Sequence, residues 1–231
     1  MTAMVERFLR QKFESSLVSV TLALLALLVA TPPALSNGPA RLVALLLIAS
    51  GAVSRDASSG ALQMILARPI SRTEYLGGRL LGVMAAYAIF LAAATIFAFL
   101  LSFQFGGTAT LLSAALPRAL LGALLDGLQV AVFLLLLSTL LPSFGDALGY
   151  LFLWVAFSAA AGFGTALGKE GLGRAARTIQ ANLLPDARWD AMLAGRNLPT
   201  EALGRWVLAV TFCFVLAAVV LSRREFAYGQ D

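Results

Sequence analysis

The sequence predicts an all-α, polytopic membrane protein. It has six transmembrane helices, an N-terminal amphipathic helix, a cytoplasmic helix between the second and third spans, and short interfacial or re-entrant helices before the last span. Three observations carry this prediction. Of 231 residues, 60% are hydrophobic and 13% charged, whereas soluble domains run nearer half apolar and a quarter charged. Apolar runs recur at about 17–34, 38–54, 80–103, 119–141, 147–167 and 203–221, to be compared with the ~20 residues that cross a hydrocarbon core. The connections are too short to bury a core of their own, so 1–231 reads as a single membrane domain.

Residues 1–16 place Val5, Phe8, Leu9 and Phe13 at helical spacing among Arg7, Arg10 and Lys12. That pattern suits a helix lying on the membrane surface, and equally a charged flank to the first span. The first span ends at Thr31-Pro32-Pro33, and Ser36-Asn37-Gly38-Pro39 is a turn sequence. The second apolar run, Leu42–Val53, is short, and its flanks bring it only to roughly 17 residues, marginal for a crossing. Residues 55–79 form the most polar internal break before residue 165. Gly106-Gly107, Pro117-Arg118 and Pro142-Ser143-Phe144-Gly145-Asp146 then separate the third, fourth and fifth spans. Arg118 reads as a headgroup anchor. The outer segment 168–202 is amphipathic, with Leu172, Ala175, Ala176, Ile179 and Leu183 at helical spacing and a break at Pro185.

Three basic residues precede the first span and only Arg41 follows it, which places the N-terminus in the cytoplasm. Six spans bring the C-terminus to the same side. Seventeen Lys and Arg against twelve Asp and Glu give a formal charge of +5. The bases are scattered through the loops, with no block suited to nucleic acid. The chain contains no His, which excludes His-ligated metal or haem and Ser/His hydrolysis. Its one Cys, Cys213, cannot form an intrachain disulfide. No G-x-x-x-x-G-K-S/T loop occurs, so this chain has no nucleotide site of that type and is not expected to be an enzyme.

Two polar sites stand out. In the break after the second span, Asp56 can cap a helix start, Leu62, Ile65 and Leu66 form an apolar face, and Pro69 stops the helix between Arg68 and Arg72. Such a helix serves a partner groove or rests on the bilayer. Inside the fourth span, Asp126 and Gln129 share one helix face. An intramembrane carboxylate is costly, so Asp126 lines a path, pairs with a base on another span, carries a proton, or makes a structural interhelical bond.

The run Asp56, Gly60-Ala61-Leu62, Ile65-Leu66, Pro69-Ile70-Ser71-Arg72 and Gly78-Arg79 resembles the corresponding segment of ABC-2 type ABC transporter permeases. There an acid is followed by Gly-Thr-Leu, a leucine pair, Pro-x-Ser-Arg and Gly-Lys. This chain departs at Ala61, at Ser58, where a second acid is common, and at Arg79. The six-span layout is similar too, although only Asp56–Gly82 is specific. The resemblance implies a permease subunit in the inner (plasma) membrane, exporting a substrate that the residues do not identify. It implies a second permease copy and membrane lipids as partners. A separate ATP-binding cassette subunit would hold ATP and Mg, with no cofactor in this chain. It also implies that a coupling helix, roughly Ser58–Ala67, carries ATPase motion into the spans through Asp56, Gly60, Leu62, Ile65, Leu66, Arg68, Pro69, Ser71 and Arg72. A haem-exporter or cytochrome-maturation permease shares this size and span count. A membrane anchor that recruits a soluble complex without transport is the alternative of another class.

Overall fold

The computed structural model describes residues 5–6, 8–10, 21–26, 39–66, 70–104, 115–142, 145–166, 169–183 and 200–223. Among these, all regular structure is helical. The described parts of the first 26 residues are helical, and eight further helices follow. They are α1 (Pro39–Ala49), α2 (Ser54–Ser58), α3 (Ala61–Leu66), α4 (Arg72–Gln104), α5 (Ala115–Leu140), α6 (Gly145–Ala166), α7 (Glu170–Leu183) and α8 (Thr200–Arg223). Four of them, α4, α5, α6 and α8, are long and apolar enough to cross a membrane. The expected first span, 17–34, lies mostly outside the described residues.

α5 is the hub. It packs against α1, α4, α6 and α8, and 67% of its apolar window is buried, against 11% for α6 and α8. Every residue from Gln129 to Thr139 is buried, as a helix that is apolar all round requires. On the outer helices, Phe152, Phe163, Leu208 and Phe212 are each at least 66% exposed. Such surface is costly in water and natural against lipid. The molecule thus reads as a multi-pass membrane protein.

α1 has 11 residues, a rise of about 16 Å, roughly half the hydrocarbon core. The expected second span, 38–54, therefore ends early as a helix. Gly51, at φ 69°, turns the chain, and a Cβ there would stand 2.8 Å from the Arg55 side chain. α4 has 33 residues and begins eight residues before the expected span start at 80. Its first two turns are polar, so hydropathy alone starts the helix too late.

Near the N-terminus, Phe8 is buried while Glu6 and Arg10 are exposed, which fits the expected apolar face. Phe8 lies against protein, however: a Cβ added to Gly82 of α4 would meet its ring at 3.1 Å.

Candidate functional site

The polar run 51–72 is bound to the long helices by buried polar contacts gathered at one end of the bundle. It does not form the single coupling helix expected over Ser58–Ala67. It forms α2 and α3, separated by Gly60 at φ 70°, a conformation that L side chains disfavour.

The first set of contacts fixes the turn before α2. The backbone N–H groups of Val53 and Ser54 both donate to Ser138 Oγ, each at 3.0 Å. The Gly51 N–H donates to Asp146 Oδ2 at 2.6 Å, a charge-assisted bond. α2 has no side-chain cap of its own, so Ser138 supplies from α5 what a local N-cap residue would supply. Asp146 also accepts from the Ala147 N–H at 2.8 Å, at the start of α6.

The second set joins α2 to α4. Asp56 is buried, with a relative exposure of 5%. Its Oδ2 accepts a hydrogen bond from Tyr75 Oη at 2.7 Å and forms an ion pair with the guanidinium of Arg79. The guanidinium carbon of Arg79 sits 5.6 Å from the ring centres of both Phe8 and Tyr75, within cation–π range. The carboxylate expected to cap a helix start is instead turned into the bundle.

The third set fixes the start of α4. Ser71 Oγ accepts from the Glu74 N–H at 3.2 Å, and Glu74 Oε2 accepts from the Ser71 N–H at 2.8 Å. This is a capping box. Arg72 donates to the Leu221 carbonyl at 2.8 Å and to that of Ser222. A cation on the last carbonyls of α8 is favoured by hydrogen bonding and the helix dipole. The contact places the start of α4 beside the end of α8.

The remaining residues of the run that the resemblance singles out divide. Leu62 is fully buried in the core, and Ile65 is half-buried against it. Among the described side chains of α3, Met64 is the exposed one, at 70%, beside exposed Ser58 and Ser59. Leu66 ends α3. Arg68 and Pro69 lie outside the described residues.

The intramembrane site is a separate cluster. Asp126 Oδ2 lies 3.9 Å from Arg41 of α1. Of the readings open for Asp126, pairing with a base on another helix is the arrangement found. Gln129 is buried one turn further on. Arg41 is thus a buried partner. Arg41 meets Asp126 and Val53 meets Ser138, so α1 and the turn after it follow α5 along the twelve residues, about 18 Å, that separate Asp126 from Ser138.

Tyr75, Arg79, Ser138, Asp146 and Arg41 were not singled out by the sequence as site residues. Ser71-x-x-Glu74 before an apolar run is a readable capping signal. Arg79 stands in the Gly78-Arg79 pair of the quoted run, but these contacts span 19 to 95 positions, and no local pattern marks which residues pair.

The described residues include no group of three or more His, Cys, Asp or Glu able to hold a metal. No protein-family model matches the chain, and a search of curated proteins gives no match.

Proposed function

We propose that the chain is the membrane-spanning permease subunit of an ABC-2 type ABC transporter. It pairs with a second permease copy, and separate ATP-binding subunits that hold ATP and Mg drive export from beneath α2 and α3. In this reading the 51–72 end and both termini face the cytoplasm. α4, α5, α6 and α8 supply four of six crossings and 17–34 supplies another, while 38–54 completes the set through the short α1, whose Arg41 end meets α5 rather than lipid.

The observation that supports this reading is the joint itself. A short helix pair stands at a bundle end with Met64 outward. Its base is tied to α4 through Asp56, Tyr75 and Arg79. It is tied to α5 and α6 through Ser138 and Asp146. Force applied to α2 and α3 therefore reaches three long helices through desolvated, directional contacts, which strengthen in low dielectric. A loop helix resting on lipid has no need of them.

The burial of Leu62 moves the docking contact to Met64, Ser58 and Ser59. Met64→Asp puts a charge on an exposed position, so the fold is retained. Co-purification with the ATP-binding subunit should weaken about ten-fold or more, since the carboxylate is desolvated in the docked groove, and ATPase stimulation should fall with it. A complex that survives Met64→Asp with its ATPase coupling intact would falsify the docking assignment. A membrane anchor would hold a soluble partner but lack substrate-stimulated ATPase.

A further inference from the structure

α7 presents three different surfaces around its axis. It follows α6 after a short link and packs chiefly against it, as the second leg of a helical hairpin. Successive residues are rotated by about 100°. Gly173 and Ala176 are buried on the side toward the bundle. Arg174, Arg177 and Thr178 are exposed on one flank. Ala175 is exposed on the other, with Ile179 at 42% exposure. A basic flank and an apolar flank on opposite sides of a docked face is the layout of a helix at a lipid–water boundary.

Connectivity sets where this boundary lies. α6 starts at the end where Asp146 holds Gly51, and its 22 residues rise about 33 Å, so α7 starts at the opposite end. Helical side chains tilt toward the helix N-terminus. Arg174 and Arg177 therefore lean toward the rim, where Lys169 is exposed. Arg118 at the start of α5 and Arg205 at the start of α8 are exposed at the same end. Among the described residues, this end carries those five bases and two acids, Glu170 and Glu201.

We propose that this rim is a binding surface for an anionic phospholipid of the surrounding bilayer. Lys169, Arg174 and Arg177 hold the headgroup phosphate, with the guanidinium forks matching its oxygens. The acyl chain lies along Ala175 and Ile179. The surface is independent of any ATPase at the other end.

A photoactivatable phenylalanine placed at Ile179 tests this in the full-length chain. The bilayer holds equal amounts of phosphatidylcholine and phosphatidylglycerol, and the captured lipid is identified by mass spectrometry. Phosphatidylglycerol should be captured in excess, and the excess should fall about five-fold for each of Arg174→Gln and Arg177→Gln. Arg174→Lys with Arg177→Lys should retain most of it, and high salt should erode it. Equal capture of the two lipids would overturn the proposal. So would an excess that survives the double glutamine variant, or capture of protein in place of lipid.

Discussion

Asp56 and Arg79 carry opposite charges at about 5% exposure each, so each depends on the other to offset its desolvation. Removing one partner from such a pair costs about 3 kcal/mol or more, because the survivor is left buried and uncompensated. Asp56→Ala and Arg79→Ala should each destabilise the purified chain by about that amount. The double variant should lose clearly less than their sum, as measured by a double-mutant cycle on chemical unfolding. Additive losses would mean that the pair does not act as a unit. Asp56 was conspicuous in the sequence as an acid in a polar break, but spacing cannot tell an inward carboxylate from a capping one. Leu62 raises the same ambiguity, since an apolar face at helical spacing suits a partner groove and the chain's own core alike, and here it is buried in the core. Arg41 reads from the sequence only as a base at the start of the second span, because its counterion is 85 positions away.

At the scale of the helices, α4 comes close to α5 at Gly127. A Cβ there would stand 2.4 Å from Cε1 of Tyr87, whose ring is almost completely buried. Gly127→Ala should therefore force the two helices apart and lower stability by about 1–3 kcal/mol, read by unfolding of the purified chain. Gly162→Ala provides the comparison, since nothing lies within 4 Å of its added Cβ, and its effect should be near zero. The long apolar helices were legible from hydropathy, and α5, α6 and α8 match the expected runs to within a few residues. α4 was legible only from residue 80, because its first two turns carry Arg72, Glu74 and Arg79. The Ser71–Glu74 capping box marks its true start. The break between α2 and α3 turns on the positive φ of Gly60, which the sequence permits without requiring.

In the whole molecule, a set of long-range polar contacts between described residues gathers at one end. Gly51 to Asp146, Val53 and Ser54 to Ser138, Asp56 to Arg79, and Arg72 to the end of α8 all lie there. They join the segment at 51–72 to α4, α5, α6 and α8, while the outer faces of α6 and α8 remain apolar. The composition of the chain made the membrane class legible. This convergence was not, because it depends on helix ends meeting in space. The proposed role of α2 and α3 rests on it: a small element at a bundle end, held by three of the four long helices, is suited to receive force from outside. In the proposed role Met64 is the contact residue, and the native Cys213 is buried, so a Met64→Cys variant has a quiet background. In membranes that also contain the ATP-binding subunit, a short bifunctional thiol reagent should join Met64→Cys to that subunit, with a yield that changes when ATP is added. No crosslink at Met64→Cys in an intact complex, or labelling of that cysteine by an impermeant thiol reagent from outside the sealed cell, would contradict the coupling role.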